Sequence, residues 1–347
     1  IPNLDNNINL TNFNCGYNFI TGSIPNLLNN QKLVYFRCNN NNITGSIDIG
    51  NVNIQLFDCS VNNLDGSIIN IGGSGSLKYF DCSYNYLIGT IPSISDYSKL
   101  EYFNCSNNNL TGSIPDTTNN NNLTTFICNN NNLDGGINSL GRFIQTFDCS
   151  NNYLTGSIPN ASLLSNLQYF NCENNNLSGG IDLTGLSDLD TFMAGYNELS
   201  GSILSLSGCI NLVHFDCLEN ELTGSIPSLN SCVSLSYFDV SGNKITGSIP
   251  DLANNQQLTY LGLDNNKLTG YTTASVGTIS PYLLDISAGN NLLTQAAVDG
   301  FLHDLDVAGG LNGQVFLNGT GNAIPSATGL LYTASLKSKG WYVGVNH

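Results

Sequence analysis

Tyrosine and aspartate recur at a fixed spacing along most of the chain, and both residue types are suited to ligand recognition. A tyrosine often precedes a phenylalanine by one residue and an aspartate follows it by one, as in Tyr79-Phe80-Asp81. Tyrosine rings can stack on the apolar face of a sugar, while carboxylates, amides and hydroxyls hydrogen-bond its hydroxyl groups. The pattern predicts a ligand-binding surface with these candidates: Tyr35, Tyr79, Asp81, Ser83, Tyr102, Tyr169, Asp216, Tyr237, Asp239 and Tyr260.

The same columns have a structural interpretation. Tyrosine and threonine have high strand propensity, and like side chains on neighbouring strands stabilise a sheet, so the tyrosines could form a supporting ladder. The strongest local candidate for binding is the group Tyr79, Asp81, Ser83 and Tyr102, where two tyrosine-bearing repeats adjoin.

Two pairs of aspartates are expected to lie on neighbouring repeats, Asp58 beside Asp81 and Asp216 beside Asp239. Like charges so close repel each other unless something compensates them. A bound Ca²⁺ would do so, because it prefers several oxygen ligands, and carboxylates splayed into water are the alternative. No other cofactor or metal is predicted, since the three histidines are scattered and no cysteine pair has zinc-ligand spacing.

An internal repeat of 21 to 25 residues organises these positions. Its template is an aliphatic residue, two variable residues, Phe, one variable residue, Cys, two variable residues, Asn, one variable residue, and Leu or Ile. The marker positions of the 13 repeats are Cys15, Cys38, Cys59, Cys82, Cys105, Cys128, Cys149, Cys172, Ala194, Cys217, Val240, Leu263 and Ala288.

The template predicts two short strands in each repeat. Phe and Cys lie two residues apart and therefore point to one buried face, in columns that stack on the neighbouring repeats. The Asn after them is expected to turn inward and hydrogen-bond backbone groups of its own and the adjacent repeat. In the second strand, as at 110–115, Leu, Gly and Ile face inward and Thr and Ser outward, and the conserved spacing of Gly suggests little room inside.

These motifs resemble leucine-rich repeats. The Leu-Thr-Gly-Ser-Ile-Pro stretch at 110–115 is similar to the plant-type repeat of receptor ectodomains, and the Cys-x-x-Asn strand at 105–108 to repeats of secreted bacterial proteins. The resemblance covers residues 1–294 and implies an α/β repeat solenoid: a leucine-rich-repeat right-handed superhelix with a parallel concave β-sheet and a second short sheet. Because Ile1-Pro2-Asn3-Leu4 matches the middle of the next repeat, the first repeat is interpreted as incomplete at its N-terminus.

Residues 295–347 depart from the repeat and predict a helix-strand-helix-strand cap. The segments 294–308 and 326–339 read as helices ended by glycines, and 315–317 and 341–345 read as strands. This C-terminal α/β cap should cover the end of the solenoid. It resembles tails that follow repeat arrays in marine bacterial surface proteins and bacteriophage virion proteins.

The 11 cysteines are interpreted mainly as small buried hydrophobes, because nine of them occupy the strand column. Cys209 and Cys232 lie outside that column, one repeat apart, and are candidates for a disulfide in an oxidising compartment. A free pair is the alternative.

Charge and motifs narrow the function. A net charge of −16 disfavours nucleic acid, and no apolar stretch predicts membrane insertion. There is no nucleophile, phosphate-loop or metal motif, so the chain is not expected to be an enzyme. The leading hypothesis is an extracellular recognition or adhesion module for a cell-surface glycan or protein, on a cell surface or as a virion host-contact fibre. The alternatives are a structural component of a virion or filament built with identical chains, and ice binding through the outward Thr and Ser columns.

Overall fold

The computed structural model describes residues 1–50, 53–72, 75–159, 164–273 and 278–347. Contacts divide the chain into two units, one of Ile1–Pro159 with Asn174–Asn176 and the other of Asn160–Glu173 with Leu177–His347. The boundary predicted at residue 294 between a solenoid and a cap stays a prediction.

The first unit consists of short strands joined by turns and loops. Its strands are β1 (Asn12–Asn14), β2 (Tyr35–Arg37), β3 (Ile47–Asp48), β4 (Leu56–Asp58), β5 (Ile68–Asn70), β6 (Tyr79–Asp81), β7 (Tyr102–Asn104), β8 (Thr125–Ile127), β9 (Thr146–Asp148) and β10 (Thr155–Ser157). β1, β2, β4, β6, β7, β8 and β9 pair in parallel in that order, one strand from each repeat. β3 pairs with β5 in parallel as part of a second short sheet.

The second unit continues the pattern and adds two helices. Its elements are β11 (Tyr169–Asn171), β12 (Asn176–Ile181, which begins in the first unit), β13 (Thr191–Met193), β14 (Glu198–Ile203), β15 (His214–Asp216), β16 (Tyr237–Asp239), β17 (Thr246–Ile249), β18 (Tyr260–Gly262), β19 (Lys267–Tyr271), β20 (Asp285–Ser287), α1 (Gln295–Ala308), β21 (Gln314–Phe316), α2 (Ala327–Ser338) and β22 (Tyr342–Gly344). β11, β13, β15, β16, β18, β20, β21 and β22 form the parallel row of this unit. β12 pairs with β14, and β17 pairs with β19.

The core is built from columns of identical side chains, as the template predicts. Phe80 and Phe103 are fully buried, lie in register on β6 and β7, and stack with 5.2 Å between ring centroids. Cys82 and Cys105 follow two residues later and are equally buried. Burying a phenylalanine side chain contributes about 1.5–3 kcal/mol, so each added repeat stabilises the one before it.

The asparagine after each strand hydrogen-bonds the backbone of two repeats, which confirms its predicted role. Asn108 Nδ2 donates to the carbonyls of Cys82 (3.0 Å), Cys105 (3.1 Å) and Ser106 (3.1 Å), and its Oδ1 accepts from the Leu87 N–H (2.9 Å). The arrangement recurs at Asn41, Asn62, Asn85, Asn131, Asn152, Asn197, Asn220, Asn243, Asn266 and Asn291. These bonds satisfy buried carbonyls that the strand ladder leaves unpaired.

The second strand is shorter than the template predicts in several repeats. At 110–115, Leu110 and Ile114 are buried and Thr111 and Ser113 exposed as predicted, but Thr111 and Ile114 form only isolated bridges. The glycine of this motif has a left-handed backbone, with φ of +87° at Gly22, which interrupts an extended strand. The expectation of little room at these glycines holds in some repeats and not in others. A Cβ at Gly22 would meet no atom within 4 Å, whereas one at Gly112 would lie 3.0 Å from Thr90 Cγ2 and one at Gly201 would lie 2.6 Å from the Gly180 Cα.

The C-terminal helices and strands lie where the sequence predicts them. Thr294 caps α1 by accepting from the Ala297 N–H, and Gly309 ends it in the left-handed conformation. Ser326 caps α2. β21 pairs with β20 and β22 pairs with β21, so the segment extends the parallel row of its unit. No helix in the described part of the chain is long and apolar enough to cross a membrane.

The predicted disulfide between Cys209 and Cys232 is absent, and this hypothesis is corrected. Both thiols are free. The Cys209 sulfur lies 3.3 Å from the Leu183 carbonyl oxygen, and the Cys232 sulfur lies 3.7 Å from the Leu206 carbonyl oxygen. Each thiol therefore engages the backbone of the preceding repeat. The strand-column cysteines from Cys38 to Cys217 are buried as predicted.

Candidate functional site: the strand face

We use the term strand face for four outward columns of each parallel row. They are the residues one before, one after, three after and four after the buried Phe or its equivalent. In a strand these side chains point away from the core, and the turn after the strand extends the same surface. The fourth column has a left-handed backbone at Tyr17, Asn40, Val61, Tyr84, Asn107, Asn130, Asn151, Asn174, Tyr196, Glu219, Asn265 and Asn290.

In the first unit the structure brings together the four residues of the strongest candidate group. Tyr79 and Tyr102 are paired in register on β6 and β7. Their rings are nearly parallel, at 4°, with 4.4 Å between centroids. Each ring therefore covers one face of the other and presents its edge and hydroxyl outward.

Asp81 lies under these rings and is only 7% exposed. Its Oδ1 accepts from the Ser83 N–H (2.9 Å) and hydroxyl (2.6 Å), and its Oδ2 accepts from the Tyr79 hydroxyl (3.3 Å). Burial raises the pKa of Asp81, the bonds from Ser83 oppose that shift, and the nearby Asp58 adds to it. Asn104, which the sequence interpretation missed, bonds the Tyr102 hydroxyl at 3.1 Å.

In the second unit a ring stack runs over three strands. His214 and Tyr237 stack with 4.2 Å between centroids, and Tyr237 and Tyr260 with 4.4 Å. Asp239, which is 4% exposed, accepts from the hydroxyls of Tyr237 (3.4 Å) and Tyr260 (3.1 Å) through Oδ2. His214 was not among the predicted site residues, although it occupies the tyrosine column.

Asp216 neighbours this stack and is electrostatically unusual. It is paired in register with Asp239 and is 6% exposed. Burial raises the pKa of Asp216 to about 7; the Leu218 N–H bond lowers it, while Asp239 and Glu173 add to the rise. Burial also lowers the pKa of His214, so its neutral form is favoured. Histidine and Asp216 thus both tend toward their uncharged forms near neutral pH.

Two predicted site residues lie apart from these clusters. Tyr35 on β2 is 43% exposed and pairs with Leu56, not with another tyrosine. Tyr169 on β11 pairs with Thr191. The register of the repeats therefore concentrates the other candidates in two places.

The structure provides few ligands for the Ca²⁺ that the sequence predicts at the aspartate pairs. The pairs Asp58–Asp81 and Asp216–Asp239 are in register as predicted. Oδ1 of Asp58 is engaged by the Ser60 hydroxyl at 2.7 Å. Within the described ranges no three His, Cys, Asp or Glu side chains are grouped so that they could hold a metal ion. Ca²⁺ prefers six to eight oxygen ligands, and these pairs supply only part of such a set.

The outward threonines of the second sheet form a separate regular array. Several of their hydroxyls donate to a glycine carbonyl of the preceding repeat, as from Thr111 to Gly89 (3.3 Å) and from Thr246 to Gly224 (2.9 Å). Asp134 interrupts the array and instead accepts from the Gly112 N–H. The hydroxyls of this array are therefore held in fixed positions.

Three segments match the Leucine Rich Repeat family. They are residues 99–121, 143–162 and 234–255. Together with the stacked parallel strands, this match shows that the fold is a leucine-rich-repeat solenoid. The two distinct repeat types and the virion-like tail stay predictions. No curated protein sequence matches the chain.

Solved leucine-rich-repeat structures have the same fold. A TDR receptor gives a TM-score of 0.70 at 23% identity, over 99% of this chain and 69% of that one. The plant peptide hormone receptor RGFR1 in complex with RGF2 gives 0.73 at 25% identity, over 95% of this chain and 54% of that one. The functional domain of InlJ from Listeria monocytogenes, which includes a cysteine ladder, gives 0.59 at 23% identity, over 89% and 68%. The chain thus spans about half the length of RGFR1.

Proposed function

We propose that the chain is a non-enzymatic extracellular recognition module that binds a peptide or protein segment on its strand face. The main observation behind this proposal is the cluster of Tyr79, Asp81 and Tyr102. Its two stacked rings and buried carboxylate form one ordered polar surface. Tyrosine is enriched at protein interfaces because it gives a large contact area at little entropic cost. The similarity to RGFR1, a plant peptide hormone receptor solved in complex with RGF2, supports this ligand class.

The ring geometry favours a peptide over a neutral glycan. A sugar stacks on the face of an aromatic ring, but Tyr79 and Tyr102 each cover one face of the other. Their outward edges and hydroxyls, with Asn104 beside them, can instead exchange hydrogen bonds with a backbone. Neighbouring strands lie about 4.8 Å apart, so these groups repeat at a spacing that an extended segment crossing the strands can follow. The same surface would serve a cell-surface adhesin or a virion host-contact fibre.

The test is selection of peptides from a random displayed library on the full chain, followed by affinity measurement with a Tyr79→Ala/Tyr102→Ala variant. The matched control is Tyr86→Ala/Tyr153→Ala, which removes two exposed tyrosines outside the strand face. We expect the first variant to weaken binding by at least about tenfold and the control to leave it unchanged. Equal losses in both variants, or selection of no peptide, would overturn the proposal. Binding of a microbial glycan panel instead would favour the glycan hypothesis.

Ice binding remains a second candidate because the second sheet holds its hydroxyls in fixed positions. The exposed Thr223, Thr246 and Thr269 each donate to a carbonyl of the preceding repeat. A repeating array of ordered hydroxyls could organise water. Thermal hysteresis of the chain, compared with a Thr223→Lys/Thr246→Lys variant, tests it. No hysteresis in the unmodified chain would exclude this candidate.

A further inference from the structure

The strand face of the second unit carries a strong and one-sided charge. Its four columns contain six carboxylates: Glu173, Asp216, Glu219, Asp239, Asp264 and Asp285. They contain no lysine or arginine. In the first unit the same columns hold three carboxylates, Asp58, Asp81 and Asp148, and the basic Arg37. The excess of negative charge is therefore a property of one unit's strand face and not of every repeat.

Two of these carboxylates converge over a glycine. Glu173, Gly195 and Leu218 occupy the same column in successive repeats, and Asp216 lies in the adjacent column. A Cβ at Gly195 would lie 3.4 Å from both Glu173 Oε1 and Asp216 Oδ1, so these oxygens are at most about 6.8 Å apart. A methyl group of Leu218 lies 2.9 Å from the same point. Two acceptors beside an apolar wall match a cationic group on an aliphatic stem.

A buried nitrogen on the strand that carries Asp216 has no partner. Nε2 of His214 is buried and makes no hydrogen bond. The neutral imidazole that burial favours can accept a hydrogen bond at such a nitrogen. Asp190 and Asp239 act electrostatically on His214, so the surroundings of the ring are also negative. A buried unpaired nitrogen is costly, and a ligand rich in N–H donors would relieve that cost.

The spacing of the carboxylates favours an organic cation over a metal ion as the ligand. In the portion of the chain that the structure covers, no three carboxylate, thiol or imidazole groups converge on a point where a metal could bind. A guanidinium has five N–H donors in a planar fork and can bridge two carboxylates at the separation of Glu173 and Asp216. The remaining carboxylates follow one another along the row, which suits a chain of several cations.

We propose that the strand face of the second unit binds a basic peptide segment, with one arginine guanidinium held between Glu173 and Asp216. This inference rests on the proposed recognition function and names its partner class. It also implies a pH dependence. Binding a cation favours the ionised form of Asp216, whose pKa burial raises to about 7, so affinity should increase as pH rises through that value.

The experiment measures binding of the full chain to three synthetic peptides of equal length: one alternating arginine and serine, one alternating glutamate and serine, and one of glycine and serine. Each is titrated at pH 6 and pH 8 and at low and high salt. The site variant is Glu173→Gln/Asp216→Asn. The matched control, Glu198→Gln/Asp188→Asn, removes the same charge from exposed positions of the same unit outside the strand face. Thermal melting of both variants checks that they fold.

We expect the arginine peptide to bind, more tightly at pH 8 than at pH 6, with weaker binding at high salt. The site variant should lose at least about tenfold in affinity and the pH dependence, while the control should keep both. If both variants lose affinity equally, the overall negative charge accounts for binding, and the specific site between Glu173 and Asp216 is overturned. Binding of the glycine-serine peptide alone would overturn the basic partner class while leaving the recognition function intact. Failure of all three peptides would overturn the basic-segment proposal, and the library selection above separately decides the recognition function.

Discussion

The two carboxylate oxygens of a strand-face aspartate can have different partners: one accepts from a backbone N–H of the following turn, and the other accepts from tyrosine hydroxyls. Oδ1 of Asp239 accepts from the Ser241 N–H at 2.8 Å, two residues further along the chain. Its Oδ2 faces the hydroxyls of Tyr237 and Tyr260. The local bond closes a turn of the kind that aspartate commonly forms. Asp239 therefore supports the turn and holds the two tyrosine hydroxyls, although it is itself almost fully buried.

A single strained residue gives a test at this scale. Val61 has a left-handed backbone, with φ of 53°, in a column otherwise dominated by Asn and Tyr. A β-branched side chain is strongly disfavoured there, whereas Asn tolerates it. Because Val61 is 43% exposed, little packing is lost on its removal.

We expect Val61→Asn to stabilise the fold by about 1 kcal/mol. The measurement is the urea midpoint of unfolding at unchanged slope. The reverse substitution, Asn107→Val at φ of 56°, should destabilise and serves as the control. A lower midpoint for Val61→Asn would show that backbone strain is not the dominant effect.

At the scale of the repeat, the buried asparagine fixes the turn that follows each strand. Removal of the Asn108 side chain leaves the Leu87 N–H of the preceding repeat without a partner. It also removes one of the two asparagine donors from the Cys82 and Cys105 carbonyls, which Asn85 and Asn131 still bond. Unsatisfied buried groups cost about 1–3 kcal/mol each, although relaxation and water reduce the sum.

We therefore expect Asn108→Ala to lower the free energy of unfolding by roughly 2 kcal/mol. Asn109→Ala, at the next and exposed position, should change it by no more than about 0.5 kcal/mol. Chemical denaturation of both variants makes the comparison. Similar losses at the two positions would contradict the assigned role of Asn108.

At the scale of the whole molecule, the reactivity of the thiols measures whether the core of the repeats stays shielded from solvent. Burial raises the pKa of the Cys209 thiol to about 11 and of the Cys232 thiol to about 12. The strand-column cysteines from Cys38 to Cys217 are buried, whereas Cys15 is only half-buried. The reactive thiolate is therefore both rare and shielded in the folded chain.

In a native thiol-labelling assay we expect Cys15 to react and the buried thiols to remain protected. In denaturant without reductant, all 11 cysteines should react, because no disulfide joins them in the structure. Cys15→Ser provides the matched control for the native signal. If two fewer thiols react in denaturant and both react after reduction, the hypothesis of a Cys209–Cys232 disulfide would be supported again.

The sequence by itself determined the repeat, its strands and its buried columns. Phe, Cys and Asn recur at one spacing, and a parallel stack is the arrangement that buries them together. The C-terminal helices were also predictable, because Thr294 and Ser326 are capping residues at their starts. These features depend on local geometry and periodicity, which are determined by residues close together in the sequence.

Only the tertiary structure decided how the outward columns combine. Register places Tyr79 against Tyr102 and leaves Tyr35 against Leu56. Burial, which depends on packing between repeats, gives Asp216 its raised pKa and leaves His214 Nε2 without a partner. The left-handed glycines and the free Cys209 thiol also depend on backbone path and on atoms of the preceding repeat, which spacing in one repeat does not specify.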